Sequence, residues 1–261
     1  MILSAIVSRT SKWRKNRAVS GVIIFGGSGG IGRSIALDLA KRNIPVCLAA
    51  RSEESLAAAA REVGAAGYVV ADATDLKQVE EAFASAATML GGIKGVAHCV
   101  GSIVLKPAHL TTEPEFMSVI NLNLTSAFLV TRTAARNMNN GGSVVLFSSA
   151  AARIGLANHE AIAAAKGGII GLTLSAAATY AARGLRFNCV APGLVSTALS
   201  EKITSNPTAA AFSTALHPLG RLGEPNDVGA MAGLLLSDDA SWITGQVFGV
   251  DGGLASIKAK A

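Results

Sequence analysis

Short apolar runs alternate with amphipathic segments along the chain from residue 22 onward. The runs are apolar throughout, as strands are when a parallel sheet is covered on both faces. The segments between them repeat apolar residues every three or four positions, which is the helical period. Predicted strands cover 22–25, 45–50, 67–70, 95–100, 143–147, 186–190 and 246–250, and predicted helices cover 33–41, 53–63, 76–90, 115–137 and 161–182.

This alternation predicts an α/β fold over residues 21–261: one doubly wound, Rossmann-type domain with about seven parallel strands and helices on both faces. No linker, repeat or low-complexity tract indicates a second domain. The longest irregular stretch, 194–218, contains two prolines, and a loop of that length is usually functional, so we predict a lid over a site there. No uninterrupted apolar run approaches the ~20 residues of a membrane span, and we expect no membrane partner.

Composition and charge indicate one further feature, a basic segment at the N-terminal end of the chain. Half of the residues are hydrophobic and 15% are charged, which excludes a disordered chain. The net charge is +6, but five of the 23 basic residues lie in the first 17 positions, and no acid precedes Asp38. The rest is nearly neutral, so we expect no nucleic-acid partner.

Residues 1–20 read as a basic N-terminal extension, which resembles an organellar transit peptide; the alternative is a disordered or upstream-start segment. The expected location is cytoplasmic, or the mitochondrial or another organellar matrix if the leader is a transit peptide. Cys47, Cys99 and Cys189 share no metal-like spacing and are expected to be reduced thiols. The histidines also lack ligand spacing, so we expect no metal site.

A glycine turn joins the first predicted strand to the first helix, with glycines at 26, 30 and 32. Glycines there permit a tight turn and close approach of the backbone to a pyrophosphate, and the helix N-terminus favours the anion. The alternative is a turn in which glycine serves packing alone.

Residues 25–32, FGGSGGIG, closely resemble the cofactor motif of the short-chain dehydrogenases/reductases, with Phe25 where threonine is common. The resemblance covers residues 21 to about 254, including 192–197, 218–225 and 243–253. It implies a nicotinamide dinucleotide cofactor and a homotetramer or homodimer formed through helices 115–137 and 161–182. In this family Asn-Asn-Ala-Gly often stands where this chain has His98-Cys99-Val100-Gly101, so asparagine contacts that steady the sheet are missing.

Cofactor choice depends on the end of the second strand. Ala50 leaves empty the position at which NAD-binding chains place an acid, and Arg51 can offer a planar guanidinium to a 2′-phosphate. We therefore predict NADP(H) rather than NAD(H); the alternative is that Arg51 is a solvated loop residue without a ligand. The predicted cofactor-binding residues are Gly26, Ser28, Gly29, Gly30, Ile31, Gly32, Arg51, Asp72, Ala73, Gly101, Lys166, Pro192, Gly193, Val195 and Thr197.

The resemblance also implies catalytic residues. Ser149 would orient the substrate oxygen, Lys166 would bind the nicotinamide ribose, and Asn123 would belong to a proton relay. Ile162, four residues before Lys166, stands where the family has its tyrosine, and isoleucine has no proton to donate. His159 falls on the same helical stripe as 162 and 166, which makes it a candidate proton donor. Water is another candidate, and His159 is otherwise a polar residue at a helix start or subunit contact.

Two functions follow from these residues. The first is an NADP(H)-dependent oxidoreductase that transfers a hydride between nicotinamide and the carbonyl or alcohol of a small molecule, with an altered proton donor. The second is an inactive NADP(H)-binding protein that acts as a sensor or as a structural subunit of a complex.

Overall fold

Seven parallel strands form one sheet in the computed structural model, which describes residues 20–258. Residues 1–19 of the predicted basic leader (1–20) lie outside the described residues. The strands are β1 (Gly21–Phe25), β2 (Val46–Ala50), β3 (Gly67–Val70), β4 (Ile93–His98), β5 (Gly142–Phe147), β6 (Leu185–Pro192) and β7 (Val247–Val250). Their order across the sheet is β3-β2-β1-β4-β5-β6-β7, which confirms the predicted doubly wound fold.

Helices cover both faces of the sheet. They are α1 (Gly30–Lys41), α2 (Glu53–Val63), α3 (Leu76–Leu90), α4 (Glu113–Ile120), a π-helix (Asn121–Thr125), α5 (Ser126–Asn137), α6 (Glu160–Tyr180), α7 (Glu201–Thr204), α8 (Pro207–Leu216) and α9 (Pro225–Leu236). Short 3-10 turns cover Ala108–Leu110, Ala150–Ala152, Ala181–Arg183, Ala198–Ser200 and Asp238–Ala240.

The two faces of the sheet bury two separate hydrophobic clusters. In β1, Ile23 and Phe25 belong to the cluster beneath α3, α5 and α6, while Val22 and Ile24 belong to the cluster beneath α1, α2 and α9. Because successive strand residues point to opposite faces, both sets must be apolar. This explains why the strands show no polar alternation.

The prediction of one continuous helix over 115–137 was wrong in its first residue and in its continuity. The helix starts earlier, at Glu113, where Thr112 and Glu115 form a capping box and Pro114 occupies the first turn. It is then interrupted by the π-helix, where the backbone bonds skip one residue further than in an α-helix.

The irregular stretch predicted over 194–218 is also wrong in part, because it contains α7 and α8. Pro207 lies in the first turn of α8, where no backbone donor is needed, and the Asn206 side chain accepts from Ala209 N at 3.1 Å. A further helix, α9, was not predicted; Pro225 begins it, and Glu224 with Asp227 forms a capping box.

The strand order reverses at β1, which pairs with β2 on one side and β4 on the other. The crossover connections on the two sides of β1 run in opposite directions across the sheet. A crevice therefore opens at the carboxyl ends of β1 and β4. Gly26 follows β1 and Cys99 follows β4, which places the glycine turn and the end of β4 at this crevice.

Helix α6 is long and apolar enough, by length and composition alone, to cross a membrane. It packs on β6 and β5, and its Ile169 belongs to the buried cluster beneath α3, α5 and α6. Its apolar composition therefore serves the core of the α/β domain.

Candidate active site

The glycine turn builds an anion site at the start of α1. Gly26 has φ +75°, and Gly29 N donates to Gly26 O at 3.0 Å, which closes the turn. A Cβ on Gly32 would collide with Gly26 O, so this position requires glycine. Gly29 is the N-cap, and no side chain caps the helix. The N–H groups of the first turn are consequently free for a pyrophosphate, so the residues fit a dinucleotide.

The other predicted members of the turn take part in the same site. Ser28 O accepts from Arg33 Nε at 2.9 Å, and the side chain of Ile31 packs against the core on the α1 face. A Cβ on Gly30 would lie 3.0 Å from Thr197 Cγ2, which places Thr197 beside the start of α1. The structure thus brings the segment after β6 to the glycine turn.

His217 supports this segment after β6. Its Nε2 accepts from Leu194 N at 3.2 Å, and its Nδ1 donates to Ser213 O at 2.6 Å. A Cβ on Gly193 would lie 2.5 Å from that Nε2 atom. Pro192 is the last residue of β6, and Val195 is buried and forms a parallel bridge to Gly223. The sequence had indicated only that His217 is no metal ligand.

The predicted adenosine end lies at the carboxyl ends of β2 and β3. Arg51 follows β2 directly and is exposed. Asp72 accepts from Thr74 N at 2.8 Å and Thr74 Oγ1 at 2.7 Å. The backbone bond from Thr74 is the main cause of the lowered pKa of Asp72, and the charge of Arg51 lowers it further. Ala73 is buried beneath. This edge therefore offers a free guanidinium beside a carboxylate held by its own loop.

Asn123 lies in the middle of the π-helix and is fully buried. Its Oδ1 accepts from Ser102 N at 3.2 Å, and its Nδ2 donates to Val119 O at 2.9 Å and Ser102 Oγ at 3.0 Å. Every polar atom of the amide is thus engaged, which fixes its orientation. Ser102 was not singled out in the sequence, and no local signal marks it.

Lys166 enters the same region from α6. Its Nζ donates to Phe147 O at 2.9 Å, and its own carbonyl accepts from Ser148 Oγ at 2.8 Å. Burial lowers the pKa of the Lys166 ammonium to about 8, although the Cys189 and Cys99 thiols act in the opposite direction. The side chain is consequently still an ammonium at neutral pH and loses its proton near pH 8.

Gly101 is the point where these groups meet. A Cβ at this position would lie 2.8 Å from Asn123 Oδ1 and 3.3 Å from Lys166 Nζ. The structure therefore brings together three of the predicted residues, from the end of β4, the π-helix and α6. Any side chain larger than hydrogen would fill the space between the amide and the ammonium.

Ser149 follows β5 in extended conformation and is half-buried. Its Oγ accepts from Ala151 N at 3.1 Å, which leaves the hydroxyl proton free to donate. Its neighbour Ser148 is the residue bound to the Lys166 carbonyl, so one short segment connects the serine to the turn of α6 that carries Lys166.

Ile162 lies one turn before Lys166 and is 5% exposed. It packs with Ala161, Ala165 and Val119, and Ile120 and Leu124 contact the same cluster. The space one turn from the ammonium is thus filled by apolar side chains from α4, the π-helix and α6.

His159 is the N-cap of α6, which begins at Glu160, and the preceding Asn158 has φ +64°. The imidazole Nδ1 is hydrogen-bonded to Ala157 O at 2.7 Å. Its direction is therefore set by that bond and by an irregular backbone, because His159 does not share the helical periodicity of 162 and 166.

The remaining thiols and histidines form no metal centre. Within residues 20–258, no group of three or more His, Cys, Asp and Glu side chains could hold a metal ion. Burial raises the pKa of the Cys47 and Cys189 thiols to about 11 and that of Cys99 further, so all three stay protonated.

Comparison with known proteins places these features in context. The family described as enoyl-(acyl carrier protein) reductase matches residues 26–255. The chain is 36% identical over 206 residues to "inactive 2-(S)-hydroxypropyl-CoM dehydrogenase 2" of Xanthobacter autotrophicus, covering 76% of this chain and 90% of that protein. It is 32% identical over 253 residues to "2-(S)-hydroxypropyl-CoM dehydrogenase 3" of the same organism, covering 93% and 99%. A short-chain type dehydrogenase/reductase from Mycobacterium ulcerans superposes with a TM-score of 0.87 at 32% identity, covering 92% of this chain and 91% of that one.

The buried ammonium of Lys166 gives a pH dependence of stability. Its pKa is about 8 in the folded chain and 10.5 for an ordinary lysine. Between these values the unfolded chain holds more protons, so the free energy of unfolding rises with pH. Relative to a Lys166→Met variant, we expect the wild type to gain on the order of 3 kcal/mol from pH 8 to 10.5. Urea unfolding of both proteins across this range measures it, and a difference independent of pH would contradict the burial of the charge.

Proposed function

Since this chain belongs to the short-chain dehydrogenase/reductase family, we propose that it is an NADP(H)-dependent oxidoreductase acting on the carbonyl or alcohol of a small molecule. The observation that carries the proposal is the meeting of Gly101, Asn123 and Lys166 beside the glycine turn. A chain that needed only the fold would have no use for a buried ammonium and a fully bonded amide at the crevice.

Three parts of the crevice would hold the cofactor. The free N–H groups at the start of α1 suit the pyrophosphate. Arg51, exposed and directly after β2, suits a 2′-phosphate, and no acid stands at Ala50 to repel it. Lys166 and Thr197 would hold the nicotinamide end. When bound, the nicotinamide supplies or accepts the hydride.

The substrate oxygen would lie near Ser149, whose hydroxyl is free to donate a hydrogen bond and orient it. Lys166 would stabilise negative charge on that oxygen, because an ammonium with little hydration exerts a strong field. The proton itself would come from His159 or from water, since Ile162 has none to give. In this proposal Asn123 belongs to the proton path, held in place by its three hydrogen bonds.

The second candidate is an NADP(H)-binding protein without turnover, acting as a sensor or as a structural subunit. Ile162 favours it, because this side chain is packed into an apolar cluster where the family has its tyrosine. The relative named "inactive 2-(S)-hydroxypropyl-CoM dehydrogenase 2" supports this candidate, because that name describes a family member as inactive.

Substitution of Ile162 distinguishes the oxidoreductase from the NADP(H)-binding protein without turnover. Wild type, Ile162→Tyr and Ile162→Phe would each be mixed with NADPH and a panel of ketones and quinones, and the reduced-nicotinamide absorbance followed. Ile162→Phe is the matched control, because it adds the ring without the hydroxyl. We expect turnover in the wild type and a rise of about 100-fold in Ile162→Tyr alone, since a positioned acid contributes at least that factor. Cofactor binding with no turnover in any of the three would contradict the oxidoreductase.

Arg51 provides a test of the cofactor. We expect the wild type to bind NADPH at least about 10-fold more tightly than NADH, because a charge-assisted contact to phosphate contributes roughly 1.5 kcal/mol or more. Arg51→Ala should abolish this difference by weakening NADPH binding alone. Arg61→Ala, an exposed arginine on α2, should preserve it. Equal affinities of the wild type for the two cofactors, measured by quenching or energy-transfer fluorescence, would refute the role of Arg51.

We further propose a homodimer or homotetramer built on α5 and α6. A cavity of about 370 Å³ lies between these helices, and Phe128, Leu172 and Tyr180 line it. Phe128 is 51% exposed, and together with Leu172 and Tyr180 it forms an apolar surface that a second copy of the chain could cover. Sedimentation should give an oligomer for the wild type and for Phe212→Glu, a control on α8, and a monomer for Phe128→Glu. A monomeric wild type would contradict the proposal.

A further inference from the structure

His98, the last residue of β4, is only 1% exposed and stands behind the crevice. Its Nε2 lies 2.9 Å from Ser126 Oγ, the first residue of α5, which is itself fully buried. This contact is not part of the cofactor site described above. It joins the sheet to the segment that carries Asn123.

The direction of this hydrogen bond follows from the second contact of Ser126. The Ser126 hydroxyl donates its single proton to Leu122 O at 2.6 Å. The oxygen can then only accept from the imidazole, so His98 carries its proton on Nε2. Nδ1 is left as a bare acceptor, and it has no hydrogen-bond partner among the described residues. A buried acceptor without a partner is tolerated more often than a buried donor without one.

Leu122 lies in the π-helix, and its carbonyl explains why the Ser126 hydroxyl is needed as a donor. In an α-helix the Ser126 N–H would donate to Leu122 O, four residues back. Here that N–H donates to Asn121 O, five residues back, as a π-helix requires. The Ser126 hydroxyl supplies Leu122 O with a donor in place of that N–H. The serine thus compensates for the bond that the α-helical ladder has lost at this carbonyl.

The π-helix is therefore tied to the end of β4 at two points. His98 is hydrogen-bonded to Ser126, which directly follows the π-helix. The Ser102 backbone and hydroxyl are hydrogen-bonded to the Asn123 amide within it. Gly101 lies between these points, next to Lys166 Nζ. A shift of the π-helix would consequently move Asn123 with respect to the ammonium.

We propose that His98 is a positioning residue, which fixes the π-helix through Ser126 and thereby sets the place of the Asn123 amide beside Lys166. Its effect on turnover rests on the proposed oxidoreductase, whereas the chain of hydrogen bonds does not. The imidazole acts as a fixed neutral hydrogen-bond donor and transfers no proton in the reaction. Burial supports this, because it lowers the pKa of His98 to about 3, and the nearby Lys166 charge lowers it further.

A double-mutant cycle tests the proposal. The variants are His98→Leu, Ser126→Ala, the pair together, and His98→Gln, which keeps a donor on a side chain of similar reach. Hydrogen exchange of the amides in 119–127 and the Kd for NADPH are measured in each, so no turnover is needed. We expect exchange in 119–127 to rise at least about 10-fold in both single variants, with the pair no worse than the more affected single variant, and to return toward wild type in His98→Gln.

Independent effects that add in the pair, or faster exchange spread evenly over the sheet, would overturn the proposal and leave His98 as core filling. A second measurement does not depend on the folding of any variant. The ¹⁵N chemical shifts of the imidazole in the wild type should show a neutral ring protonated on Nε2 from pH 5 to 8. A proton on Nδ1, or titration within that range, would also overturn it. If the exchange result is as expected while the wild type shows no turnover, the positioning role stands and the oxidoreductase fails.

Discussion

The close approach of two backbones at the reversal of strand order is the constraint on which the site depends. A Cβ on Gly26 would lie 2.9 Å from the Cys99 carbonyl carbon, so the end of β1 and the end of β4 can meet only because residue 26 is glycine. That contact places the glycine turn beside Gly101, where Asn123 and Lys166 converge. Without it the anion site and the buried ammonium would belong to separate parts of the sheet edge.

The crevice divides into two halves with different chemistry. The half proposed for the cofactor is polar where a dinucleotide would need it: free N–H groups at α1, an exposed guanidinium at Arg51, and a buried ammonium at the far end. The half proposed for proton transfer is apolar instead, since Ile162, one turn from Lys166, packs there in a cluster of apolar side chains. Lys166, whose pKa is lowered by burial, lies one turn from Ile162 of this cluster, at the boundary of the two halves, and is the charged group that the proposed chemistry would use there.

Features repeated along the chain could be predicted from the sequence, whereas those made by distant partners could not. Apolar strands and the glycine turn follow from local sequence, and both were confirmed. The π-helix escaped prediction because residues 115–137 keep a helical period without proline or glycine. Helix α8 was missed because proline usually interrupts a helix, whereas Pro207 starts this one. The partner of His98 lies 28 residues away, so its role was visible only in three dimensions.

Backbone NMR with two ligands tests most directly whether the halves form one site. NADP⁺ and 2′,5′-ADP share the adenosine end, but only NADP⁺ carries the nicotinamide. Both ligands should shift the amides of Gly29 and Arg51, and NADP⁺ alone should also shift those of Gly101, Asn123 and Lys166. If NADP⁺ shifts nothing beyond what 2′,5′-ADP shifts, the nicotinamide end is not held at the meeting point of amide and ammonium, and the account of this site as a hydride-transfer centre is wrong.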